Sequence, residues 1–184
     1  MTTGSPHFAR TARQGGFTLI ELLIVVAMIA VLATIAFPIL LRARITSNEG
    51  VAVAAMRTIH SAEAAFASSC GAGGYAQTLD DLALKPAGSQ VSFITDPYNT
   101  NGVIVNGYAA NVMAANGATT LLPAASTCNG AAADAISAFV AERHPAAISE
   151  TGVRSFAIDT QGTMYMRMDG VTIDNALSGT QTFK

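Results

Sequence analysis

Glu21 stands alone in an apolar surround. Phe17 to Leu41 is a run of 25 residues in which Glu21 is the single charged side chain. A carboxylate in such a run costs several kcal/mol unless it finds a partner, which makes it a functional candidate by default. Gly16 precedes Phe17 at the junction of a polar leader and the apolar run, and it has no side chain to obstruct a protease. Cys70 and Cys128 are the only cysteines. They form a disulfide, stay as two free thiols or share a metal, and without a nearby histidine pair they make a poor zinc site. If the residues beyond the apolar run are exported, an oxidising compartment favours the disulfide. His7, His60 and His144 lie far apart with no ligand-spaced partner, so they read as solvated or packed side chains. Asp96, Asp159, Asp169 and Asp174 offer oxygens, but not in a dense acidic loop of the kind that supplies calcium with six or more. The sequence holds no phosphate loop, nucleophile elbow or dinucleotide fingerprint. The sequence therefore gives no expectation of an enzyme, and no metal or cofactor is assigned.

The element that must carry Glu21 is a helix. Twenty-five residues rise ~37 Å as an α-helix, enough to cross a hydrocarbon core of ~30 Å with tilt. Only a helix crosses as one segment, because each backbone donor finds its acceptor inside it. Leu22, Leu23, Ile24, Val25, Val26, Met28 and Ile29 give apolar side chains all round. An ordinary secretory signal has a shorter apolar core with its cleavage site after it. A plain membrane anchor explains the length but not Gly16 together with Glu21. Arg10 and Arg13 before the span fit a cytoplasmic N-terminus, while Arg42 and Arg44 beyond it compete with that orientation.

Gly16-Phe17-Thr18-Leu19-Ile20-Glu21, then about twenty apolar residues with Pro38 near their end, resembles the class III signal of type IV pilins and type II secretion pseudopilins. Leu40-Leu41-Arg42-Ala43-Arg44 through Ser61-Ala62-Glu63 is similar to pilin-like proteins of that group, and so is the stretch Gly152-Val153-Arg154-Ser155-Phe156-Ala157-Ile158-Asp159 before Gly162. The resemblance implies cleavage by a prepilin peptidase between Gly16 and Phe17, N-methylation of the new Phe17 amine, and assembly of the helix into a filament core. It also marks Glu21 as an assembly residue and Pro38, which removes a backbone hydrogen bond and predicts a kink, as a candidate hinge.

Beyond the span, Ile45, Ala52, Ile59 and Phe66 recur every seven residues, with Ala55, Met56 and Ala62 beside them. That is one apolar stripe on a continuing helix, flanked by Glu49, Arg57 and Glu63, which packs on the head's own sheet. Gly71, Gly73 and Gly74 end the helix. Thr78 caps a short helical turn through Leu82. Four Asn-Gly pairs, at Asn101, Asn106, Asn116 and Asn129, punctuate a turn-rich stretch that holds short strands at 103–105 and 108–112. Residues 131–143 predict a helix with Ile136, Phe139 and Val140 on one face, stopped by His144-Pro145. Residues 153–158 and 163–168 predict a hairpin through Asp159–Gly162. Residues 169–184 read as a polar tail with one more edge strand at Val171–Ile173.

The expected fold is α+β: a long N-terminal helix, its first half transmembrane, packed on a small C-terminal antiparallel sheet. The expected parts are a cleaved leader 1–16, a transmembrane and filament-core helix 17–41, an amphipathic second half 42–70, and a globular head 71–184. Net charge is −2, and removing Arg10 and Arg13 with the leader brings it to −4. From residue 71 onward nine acidic side chains outnumber five dispersed basic ones, which makes no electrostatic case for nucleic acid. The implied function is a structural subunit of a type IV pilus or pseudopilus. Its partners are the prepilin peptidase, inner-membrane lipid, other copies of the chain and related pilins. Its place is the bacterial inner membrane, single-pass with a cytoplasmic N-terminus, and then a surface pilus or periplasmic pseudopilus. The alternatives are a minor or tip pilin with a role in adhesion or DNA uptake, and a membrane-anchored periplasmic binding module.

Overall fold

The computed structural model describes residues 16–183. The leader residues His7, Arg10 and Arg13 lie outside them. The chain divides into two compact units, Met1–Leu40 and Leu41–Lys184. Helix α1 (Leu19–Ser69) is the one long helix among the described residues, and it runs on past Pro38 without a break in helical structure.

Within the second unit, α1 follows the seven-residue pattern. Ala52, Met56, Ile59 and Phe66 are fully buried, and Ile45 at the start of the stripe is half-buried. Each large apolar side chain taken from water here contributes ~1.5–3 kcal/mol. Arg57 is exposed, as a flanking residue should be. Glu49 and Glu63 are not flanks: they are buried on the stripe itself. The amide nitrogens of Cys70 and Gly71 both donate to the Phe66 carbonyl, at 2.8 and 2.9 Å, and end the helix. A side chain at Gly71 would collide with the Gly74 carbonyl, so the tight exit requires glycine there. Cys70 is bonded to Cys128, 58 residues on, with a Cα–Cα distance of 4.8 Å. The bridge ties the helix end to the middle of the head.

Helix α2 (Leu79–Ala83) is capped by Thr78, whose Oγ1 accepts from the Asp81 amide at 3.1 Å. Eight strands follow: β1 (Val103–Val105), β2 (Tyr108–Ala114), β3 (Thr120–Leu122), β4 (Ala135–Ile136), β5 (Phe139–Pro145), β6 (Ser155–Asp159), β7 (Met164–Arg167) and β8 (Gln181–Phe183). Six of them form one antiparallel sheet in the order β1-β2-β5-β6-β7-β8, and β3 pairs with β4. Phe139, Ala141, Phe156, Ile158, Tyr108 and Ala110 share a core with the α1 stripe. Val140 and Ala157 point to the opposite face, where Ile173 covers them.

Two further sequence expectations fail. Residues 131–143 are not a helix: they hold β4 and most of β5. The spacing of Ile136, Phe139 and Val140 mimics one helical face, but Phe139 and Val140 lie in different clusters on opposite faces of a central strand. A strand buried on both sides reads as a continuous apolar run, and pairing with β2 and β6 overrides the helix propensity of the alanines. The last edge strand is also misplaced. Residues 171–173 are irregular, and fully buried Ile173 plugs the outer face, while Gln181–Phe183 pairs with β7.

Candidate functional site

The first unit presents the residues that the signal singles out. Gly16 is exposed, and among the described residues no atom lies within 4 Å of the position a side chain would take there. Phe17 is 84% exposed. Thr18 caps α1: its Oγ1 accepts from the Glu21 amide at 3.2 Å, and its carbonyl accepts from the Leu22 amide at 3.2 Å. Thr18 and Glu21 thus stand at the two ends of a Ser/Thr-x-x-Glu capping spacing. The Glu21 carboxylate lies in the first turn, where the helix dipole favours negative charge. Sequence reasoning missed this capping arrangement, although its three-residue spacing is visible in the chain.

From Leu19 to Leu41 every residue is exposed, Pro38 included. The helix is long and apolar enough to cross a membrane, and no part of its most apolar stretch is buried in the protein. Pro38 carries no amide hydrogen, so one carbonyl in the preceding turn lacks its helical donor.

The second unit holds the polar groups that pin α1 to the head. Glu49 Oε1 accepts from the amides of Val153 and Arg154 at 3.1 and 3.2 Å. Its Oε2 accepts from the Arg154 Nε at 2.9 Å and from Arg154 Nη2. Asn48 Nδ2 adds a bond to the Thr151 carbonyl at 2.9 Å. Burial pushes the Glu49 carboxyl up, but the Arg154 guanidinium and the two backbone donors outweigh it and hold its pKa below the ordinary value.

Glu63 has no such help. It is fully buried, its Oε2 accepts from the Ala76 amide at 2.8 Å, and its Oε1 has no partner. Burial, reinforced by the nearby Asp81 carboxylate, pushes its pKa well above the ordinary value despite the Ala76 bond. The signal for both buried acids was the spacing: Glu49, Met56, Glu63 and Cys70 fall seven residues apart on one helix face.

On the outer face of β5, His144 Nδ1 donates toward both oxygens of buried Glu142 at 3.1 Å. That bond raises the His144 pKa against the opposing effect of burial. Arg143 is buried on the helix side. Its Nη2 donates to the Val105 and Tyr108 carbonyls at 2.7 and 2.9 Å, and it lies over the rings of Tyr98 and Tyr108. His60 packs mid-helix, with Nε2 3.4 Å from the Thr160 carbonyl.

The aspartates that offered metal oxygens serve turns. Asp159 accepts from the amides of Gln161 and Thr163, Asp169 pairs with Arg167, Asp174 accepts from the Ser178 amide, and Asp96 accepts from Asn99. Among the described residues no three metal-ligating side chains gather.

Residues 11–37 match the family model for the prokaryotic N-terminal methylation motif, the prepilin-type signal of type IV pilins and pseudopilins. That signal and the long apolar helix fit anchoring in an inner membrane before assembly. Comparison with curated proteins and with solved structures gives no match.

Proposed function

We propose that this carrier of the prepilin-type signal is a structural subunit of a type IV pilus or a related pseudopilus, built into a filament through α1. The observation that carries the reading is the coincidence of the methylation motif with an apolar helix whose side chains are exposed from Leu19 to Leu41. Apolar surface of that extent calls for lipid or other helices around it. The inner membrane holds the subunit first. A prepilin peptidase then cuts between Gly16 and Phe17, where exposed backbone without a side chain gives it access, and the new Phe17 amine is methylated. In the filament, the apolar surface moves from lipid onto the helices of other copies or related pilins, and Pro38 supplies the point where α1 adjusts.

Glu21 acts in that transfer. Cleavage creates a positive amine four residues from the carboxylate, so one subunit's amine meets a neighbour's Glu21 with a small axial stagger. Breaking a buried pair of this kind on one side costs ~3–5 kcal/mol. The test uses Glu21→Ala. The Thr18 cap bonds the backbone amide of residue 21, so it survives the substitution. Membrane insertion, head folding and cleavage to a mature chain beginning at Phe17 should be unchanged by intact mass, while sheared filaments disappear. Filaments of normal number and length from Glu21→Ala subunits alone would overturn the assembly role. A mature chain still carrying residues 1–16 would overturn the processing step.

A further inference from the structure

The four Asn-Gly pairs of the head are chemically alike and structurally unlike. Such a pair can close a succinimide. The glycine amide nitrogen loses its proton and bonds to the asparagine side-chain carbonyl carbon, and the carbon–nitrogen bond to the side-chain amide breaks, releasing ammonia. Water then opens the ring to aspartate or isoaspartate. No electron changes hands. The reaction needs a free glycine nitrogen, a free side-chain amide and a backbone that can bring them together.

Two pairs have neither group free. The Asn101 Oδ1 accepts from the amides of Leu79 and Val112, at 3.0 and 3.1 Å, and its Nδ2 donates to the Val112 carbonyl at 2.8 Å. The Gly102 nitrogen is spent on the Ala110 carbonyl at 2.8 Å. Asn129 is 8% exposed, its Nδ2 donates to the Asp81 carbonyl at 2.7 Å, and the Gly130 nitrogen donates to Thr127. A third pair has both groups free among the described residues and is restrained only by its backbone. Asn106 is exposed, but it sits at φ 50° in the two-residue turn between paired β1 and β2. Ring closure would have to twist it out of a conformation that the ladder holds on both sides.

Asn116-Gly117 differs from the locked pairs in its free groups and from Asn106-Gly107 in its backbone. Both residues are exposed, and Asn116 keeps φ negative. Neither the Asn116 side chain nor the Gly117 nitrogen makes a hydrogen bond among the described residues. The turn around them is held by the Ala118 amide on the Ala115 carbonyl, the Asn116 amide on the Asn175 carbonyl and the Ala115 amide on the Ala138 carbonyl, each at 3.0 Å. We infer that Asn116 is a site of spontaneous, water-dependent deamidation in the folded head, giving aspartate or isoaspartate there. The product adds a negative charge beside a cleft already lined by Asp159 and Asn175. The isoaspartyl form also lengthens the backbone inside the turn.

The experiment incubates the full-length, disulfide-bonded protein in detergent at mildly alkaline pH and follows each pair by peptide mass mapping, with the reduced, denatured chain alongside. All four pairs should convert in the denatured chain. In the folded protein Asn116 should convert first and Asn106 more slowly, with Asn101 and Asn129 at least ~10-fold behind Asn116, since local opening must precede reaction at the locked pairs. Asn116→Gln should remove the first product without changing the other three. Conversion at Asn116 no faster than at Asn101 and Asn129 in the folded protein overturns the assignment. So does an intact Asn116 after the denatured chain has converted.

Discussion

One helix treats its carboxylates in opposite ways along its length. Glu21 lies in a stretch where every neighbour is exposed and all but Thr18 are apolar, and the described residues give its side chain no cationic partner. Glu49 is buried under four donors from the loop before β6. Glu63 is buried with a single backbone donor and no cation. The contrast teaches where each carboxylate finds its stabilisation. In the head the fold supplies it, well for Glu49 and poorly for Glu63. In the first unit the described residues do not supply it, and that is the ground for the partner proposed for Glu21 in a neighbouring subunit.

The comparison can be broken in steps of decreasing size. Replacing Cys70 and Cys128 together by serine should cost the head roughly 4 kcal/mol in the chain-entropy model for a loop of this length, read as a lower Tm, while membrane insertion of the first unit stays unchanged. An unaltered Tm would mean that the bridge does not constrain the head. Arg154→Met should cost about 2 kcal/mol, because it leaves the Glu49 carboxylate with backbone donors alone. Denaturant midpoints would read that cost. A cost under ~0.5 kcal/mol would place the pair among surface bridges that contribute little.

Glu63→Gln should change the pH dependence. The folded-state pKa lies above the ordinary value of 4.5. The contribution of Glu63 is therefore fully present below that value and is lost as pH rises toward the folded-state pKa. A single such group imposes a slope of at most ~1.4 kcal/mol per pH unit. The variant should match the wild type in acid and exceed it in stability at neutral pH, and parallel stability curves would refute the burial account. The smallest effect is at His144, whose pKa is raised first by the Glu142 bond. The stability this pair contributes is present below ~6.5 and is lost as pH rises through the folded-state value. Glu142→Gln should lower the His144 titration midpoint, observable by NMR, and an unmoved midpoint would remove Glu142 as the cause.

The N-terminal features were legible because they are local. Helix length, apolar character all round, an isolated carboxylate and a glycine at a polarity boundary are all properties of consecutive residues. The α1 stripe, its glycine exit, the Thr78 cap and the hairpin at Asp159–Gly162 follow from spacing and turn chemistry for the same reason. What the sequence could not decide is long-range. Residues 131–143 carry helix-like spacing, and only pairing with β2 and β6 makes β5 the centre of the sheet. Glu49 and Glu63 have the same residue type at equivalent heptad positions. Glu49 keeps a depressed pKa because Arg154, 105 residues away, folds over it, and Glu63 is pushed the other way because no cation reaches it. The four Asn-Gly pairs read identically in the chain, and which of them are locked depends on carbonyls and amides that other segments bring. Local propensity and periodicity depend on neighbours within a few residues, whereas burial and charge pairing depend on which distant segments the fold places together.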